Sequence, residues 1–118
     1  MRFLVFGFER DKVPDADVIF DCRILNDPQR HPQYKQLTGA DPEIQQYVRR
    51  SAMFGMLFGY VLTVLRGMPY NSVVAFGCAF GKHRSRAVAH LAREVLVAEG
   101  APIEDIAPYV WLNRRGGA

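Results

Sequence analysis

Residues Phe76–Val88 read FGCAFGKHRSRAV. The run leading into this stretch, Ser72–Phe76, is Val- and Phe-rich as strands are, and two glycines then bracket a polar turn. Beyond it the apolar spacing becomes helical. From Arg84 to Glu99, Arg84, Val88, Leu91, Ala92 and Val95 share one side, with Arg86, His90 and Arg93 opposite, and Gly100 ends the run. Strand, glycine turn and helix in that order are half of a parallel βαβ unit, so this stretch decides the fold class.

Working outward, Arg2–Phe8 and Asp17–Cys22 are further strand-like runs, and YVWLN at 109–113 looks like a fourth. Asp41-Pro42 predicts a helix start, with Asp41 capping free amides, Pro42 at the first helical position and Glu43 favourable to the dipole. That helix is expected to run to Arg66 and to stop at Gly67 and Pro69. Gly55 and Gly59 within it predict close packing of a buried helix, or else a homodimer face. The expected architecture is α/β: a small, mostly parallel sheet of about four strands with helices packed against it, in one domain over 1–118. Ligands of such sheets bind beyond the carboxyl ends of the strands, where Asp21–Arg23 and Cys78–Ser85 both fall.

The 118 residues are 49% hydrophobic and 23% charged, an ordinary globular balance. A net charge of +3 permits an anionic partner without requiring nucleic acid. Cys22 and Cys78 are too few for a disulfide framework or a cysteine zinc cage, and are read as reduced thiols of a cytoplasmic protein. No metal or cofactor is expected. The longest apolar stretch, Ala52–Leu65, is shorter than the roughly 20 residues of a membrane span, so no membrane is expected.

The turn has the makings of an anion site. Gly77 and Gly81 let backbone approach a ligand, the helix start favours negative charge, and Lys82, His83, Arg84 and Ser85 supply donors. Gly77 and Gly81 are separated by three residues rather than four, and His83 follows Lys82, which excludes an ordinary ATPase loop. Cys78 to Ser85 does match Cys-x5-Arg-Ser, the signature of cysteine-dependent phosphatases. IFDCRILNDP (19–28) also resembles the Asp-x-Arg stretch preceding the active cysteine of rhodanese domains. Cys78 therefore has two readings: a thiolate nucleophile working with Arg84, or a small buried residue at a strand end. Asp21 and Arg23 are expected to pair with one another and to orient Arg84. His31 is read as a surface loop residue, and Phe8, Phe54 and Trp111 as core.

FDCRILNDPQRHPQYKQLTGADPEIQQYV (20–48), followed by AFGCAFGKHRSRAVAHLARE (75–94), resembles the C-terminal domain of the RapZ RNase adapter family. Asp21, Arg23, Leu25, Pro28, Leu37, Thr38, Gly39 and Asp41 fit its first two blocks. Gly77, Cys78, Gly81, Lys82, His83, Arg84 and Ser85 fit the third. The resemblance implies a non-enzymatic domain that senses a phosphorylated metabolite such as an amino-sugar phosphate, binds regulatory RNA and forms homo-oligomers. It further implies a stand-alone, phage- or actinobacteria-like version, without the family's P-loop domain or its ATPase function. Two departures bear on the ligand. Ala79-Phe80 stands where the family reads Thr-Gly, and Asn26-Asp27 stands where it reads Pro-Asn, placing the negative charge of Asp27 near the anion site. For RNA, the contacts expected are Arg86, His90 and Arg93 on the α-helix, joined by Arg114 and Arg115 in the tail.

Overall fold

The computed structural model describes residues 1–108. Three strands, β1 (Arg2–Gly7), β2 (Val18–Asp21) and β3 (Val73–Cys78), form a parallel sheet, and a two-residue β4 (Ala107–Pro108) pairs with Leu4 and Val5. The order is β2-β3-β1-β4, with β3 between β1 and β2. Arg2 lies opposite Val73 and Gly7 opposite Cys78, while Val18 to Asp21 lie opposite Val74 to Gly77. The strand expected at 109–113, with Trp111, lies outside the described residues.

The strand order explains where the helices lie. Right-handed crossovers from β2 to β3 and from β3 towards β4 run in the same direction across the sheet, so their helices share one face. These are α1 (Pro42–Arg49), α2 (Phe54–Arg66) and α3 (Arg84–Ala98). Phe3, Val5, Phe20, Val74 and Phe76 meet Ile44, Val48, Val61, Leu65 and Val88 there. Phe76 lies at the centre, 5.0 Å from the Phe3 ring and 5.5 Å from Phe20. The β1–β2 connection runs in the opposite direction and so crosses the other face, where Phe8 and Ala16 cover Leu4, Phe6 and Ala75. β1 and β3 are apolar on both faces because both their faces are covered, whereas edge strand β2 exposes Ile19 and Asp21.

β3 runs two residues further than the sequence suggested, so Gly77 and Cys78 are strand rather than turn. Their opposite numbers Phe6, Gly7 and Asp21 keep the ladder going. Gly77 makes room for rings: a Cβ there would lie 2.5 Å from Phe6 and 2.6 Å from Phe8.

The single helix expected from 42 to 66 is two helices meeting at 107°. The break has a cause in Ser51, which is buried and accepts the amide of Asn26 at 2.8 Å. Serine is a weak helix former, and the bend turns both Val48 and Phe54 into the core. Asp41 does not cap α1; its carboxylate turns back to accept the Thr38 amide at 2.7 Å, fixing the 38–41 turn. Gly55 and Gly59 do not mediate close packing either. Both are exposed, and a Cβ added at either would have no heavy atom within 4 Å, beside exposed Met56 and Tyr60. No single helix among the described residues is long and apolar enough to cross a membrane.

Two substitutions test these roles by urea denaturation. Gly59→Ala should raise stability by about 0.5–1 kcal/mol, because the methyl meets open space and alanine favours helix. Ser51→Ala should cost about 1 kcal/mol through the lost Asn26 bond. A destabilising Gly59→Ala would mean that this face of α2 is covered.

Candidate anion-binding site

The turn after β3 is shaped by close backbone approaches. Phe8 and Glu9 amides donate to the Cys78 and Ala79 carbonyls at 2.8 and 2.9 Å, so the chain after β1 holds the first part of the turn. Gly81 has φ +74°, a conformation glycine adopts without strain, and its Cα faces the Phe6–Gly7 backbone. Gly7 in turn leaves room for Phe80, since a Cβ there would lie 2.5–2.6 Å from the Phe80 main chain.

A second segment straps the far end. The Gly39 amide donates to the Lys82 carbonyl at 2.9 Å, Lys82 Nζ donates to the Lys35 carbonyl at 2.7 Å, and the His83 ring meets the Leu37 carbonyl at 2.8 Å. Gly39 lies so close to the first turn of α3 that a Cβ would be 2.2 Å from the Ala87 nitrogen. The Leu-Thr-Gly-Ala-Asp run is thus a cover for the start of α3. Burial holds the His83 pKa below its ordinary value, so the ring is neutral and donates through Nε2.

Within this frame, the amides of Phe80 to Arg86 have no hydrogen-bond acceptor among the described residues; the ladder of α3 begins with Ala87 donating to His83 at 2.9 Å. The first turn of α3 contains no acid. Unpaired donors and the dipole therefore make this a positive helix end.

Arg84 is buried and already engaged. Its Nη1 donates to the Arg23 carbonyl at 2.9 Å and more weakly to Leu25 at 3.4 Å, and Nη2 lies 3.6 Å from Asp27 Oδ2. Asp27 also accepts the Gln29 amide at 3.0 Å. The void under the turn, bounded by Asp27, Gln29, Cys78, Phe80 and Arg84 among others, is only about 10 Å³, the scale of one water. Beside it lie two open clefts. One of about 520 Å³ is bounded by Arg23, Asp27, Arg30, His31, Tyr47 and Arg84. The other, of about 460 Å³, contains Arg30, Lys35, Phe80 and Lys82.

Ser85 is fully buried, with its hydroxyl 3.2 Å from Cys78 Sγ, so it faces the sulfur rather than the solvent side of the turn. Cys22, also buried, has its thiol pKa pushed well up by desolvation. Asp21 and Arg23 pair as expected, in a two-pronged contact with one bond of 2.8 Å, and Arg23 lies 3.9 Å above the Phe8 ring. The Arg23 hydrogen bond lowers the Asp21 pKa. What meets Arg84 is the Arg23 main chain, not its side chain.

The chain belongs to the RapZ C-terminal domain family. Its family model matches residues 1–105. A nucleotide-binding protein of Paramagnetospirillum magneticum is 33% identical over 95% of this chain and 34% of its own length. Those of Oleidesulfovibrio alaskensis and Thermotoga neapolitana are 34% and 32% identical over 81% and 85% of this chain, and 35% and 38% of theirs. This RapZ-type chain thus spans about a third of the length of these relatives. The structure gives the blocks quoted from the sequence distinct tasks: 21–28 supplies acceptors to Arg84, 37–41 covers α3, and 77–85 forms the turn.

Other expected contacts are dispersed. Arg93 donates to the Ile103 and Glu104 carbonyls, at 3.0 and 3.1 Å, and pairs with Asp105 at 3.4 Å, tying down the segment after α3. Arg86 and His90 are half-buried, and Arg86 Nε has no partner among the described residues. Arg114 and Arg115 lie outside the described residues. His31 is a half-buried loop residue, 3.1 Å from the Tyr47 hydroxyl and edge-on to that ring. Sequence reasoning passed over Phe80, Arg30 and Lys35 as site residues. The signal for the two bases was the pair of proline-led turns, Pro28–Arg30 and Pro32–Tyr34, which bring them beside the motif; for Phe80 it was the departure noted at 79–80.

Stability should depend on pH through His83. Its folded pKa lies below the ordinary 6.5, so the unfolded chain binds the proton more readily. Its stabilising contribution is present above 6.5 and is lost as pH falls below that value. His90 shifts the same way, through burial and then the Arg86 and Arg93 charges. Thermal melts should therefore show a lower Tm at pH 5 than at pH 7. His83→Gln, which keeps a donor for Leu37, should shrink that difference.

Proposed function

We propose that the Gly77–Ser85 turn holds the phosphate group of a small phosphorylated ligand, and that the domain binds this ligand without transforming it. The observation that carries the reading is the run of amides from Phe80 to Arg86 without acceptors among the described residues, at a helix end lacking any acid of its own. Backbone donors of this kind bind anions without loss of side-chain entropy. Lys82, exposed at the rim with its ammonium on the Lys35 carbonyl, adds a positive charge beside the turn. Asp27 is the one acid bounding the void, and its carboxylate offsets the charge of Arg84. A phosphate entering the turn displaces Asp27 and takes over that role, because the void, at about 10 Å³, is too small for both.

Several facts favour binding over attack. Cys78 is 3% exposed and its sulfur contacts the Ser85 hydroxyl, while the Arg84 guanidinium is bound to the carbonyls of 23 and 25. The relatives are named nucleotide-binding proteins, a name given to chains about three times as long, and it is consistent with a phosphorylated ligand here. An amino-sugar phosphate is the first specific ligand to try. RNA binding has weaker support, since Arg93 is committed to the segment after α3. The reading further includes a single cytoplasmic domain, with two buried free thiols, that assembles with copies of itself.

Calorimetric titration with inorganic phosphate and glucosamine 6-phosphate tests the site. Lys82→Ala should weaken binding about tenfold, the scale of one charge-assisted hydrogen bond. Asp27→Asn should tighten it several-fold by removing the internal competitor, and Cys78→Ala should leave it unchanged. Absence of binding to both the native protein and Asp27→Asn at millimolar ligand would rule the site out.

A further inference from the structure

The 460 Å³ cleft beside the turn has a character of its own. Its walls include Arg30, Pro32, Lys35, Phe80, Lys82 and His83. Arg30, Lys35 and Lys82 are its charged groups, His83 being neutral, and none of the three pairs with an acid among the described residues. Like charges gathered around one concavity raise its potential and favour an anionic guest. A space of this size suits one small molecule.

Phe80 is the unusual member. It is 44% exposed, an aromatic ring held in solvent rather than in the core. Its main chain is pressed against Gly7, which leaves the side chain outside the core and on the wall of the cleft. An exposed aromatic face amid cations is suited to a neutral planar π-system joined to an anionic group. Phe80, Lys82 and His83 bound both this cleft and the void under the turn, so a ligand could occupy both spaces at once.

We propose that the cleft receives the base of a nucleoside phosphate, stacked on Phe80, while the phosphate sits in the Gly77–Ser85 turn. The proposal rests on the reading of that turn as a phosphate site and specifies its ligand class. One aromatic wall takes one base, and a single mononucleotide fills the cleft. Arg30 and Lys35 line its margin and offset the charge of the incoming ligand. Stacking tolerates any base, because each presents a π-face.

The test is calorimetric titration with ribose 5-phosphate, AMP and UMP, against the native protein, Phe80→Ala and Phe80→Trp. Thermal melts establish that both variants are folded, as expected for an exposed position. Native protein should bind AMP about tenfold more tightly than ribose 5-phosphate, the scale of one stacked base. Phe80→Ala should abolish that preference while retaining ribose 5-phosphate affinity, and Phe80→Trp should preserve the preference. Equal native affinities for AMP and ribose 5-phosphate would overturn the base cleft and leave the phosphate turn standing. Failure of all three ligands would overturn both. Binding of an oligonucleotide without AMP would likewise overturn the proposal, since such binding needs more than one base platform.

Discussion

The buried guanidinium of Arg84 is the constraint around which the site is arranged. A cation out of water must be surrounded by acceptors, and it sits at a helix end that already repels positive charge. The chain meets this demand from a distant segment: the carbonyls of Arg23 and Leu25, with the Asp27 carboxylate behind them. The loop after β2 is consequently held over the end of β3. The two strand ends that the parallel topology places side by side thus become one structure, and replacing Arg84 would disturb the loop as much as any ligand.

The same arrangement leaves one charge adjustable. The carbonyl contacts are fixed by the backbone, whereas the 3.6 Å contact with Asp27 is long and its carboxylate is one-third exposed. On the proposed reading a ligand oxyanion takes the place of that carboxylate while the carbonyls stay in position, so the buried cation keeps both its acceptors and a counter-charge. His83 and Lys82, bonded to the carbonyls of Leu37 and Lys35, secure the opposite rim without any acid.

Much of this was legible in sequence, and the limits have physical causes. The βα unit at 76–88 was read correctly because strand, glycine and helical spacing are local signals. The α/β class followed from repetition of that alternation. The break at Ser51 was hidden because its cause is the amide of Asn26, far away in the chain. Asp41 and Gly39 were visible as motif residues, yet what they do, turning back to Thr38 and pressing on α3, appears only when 37–41 meets the helix. Gly77 looked like a turn residue because its need for space comes from Phe6 and Phe8 on a neighbouring strand segment. Arg30, Lys35 and Phe80 carried no motif, and only the fold makes them neighbours.

Cys-x5-Arg-Ser is satisfied letter for letter, and it shows how one spacing can serve two ends. In nucleophilic chemistry the thiolate must reach the phosphorus while the arginine grips the oxygens of the phosphoryl group. Here the spacing seats Ser85 beside the sulfur and sends Arg84 to the loop after β2. Both side chains complete the packing that holds the turn. On the proposed reading, what remains turned towards a ligand is backbone, which recognises an anion without attacking it. Whether chemistry follows such a pattern depends on which side chains the rest of the fold leaves free.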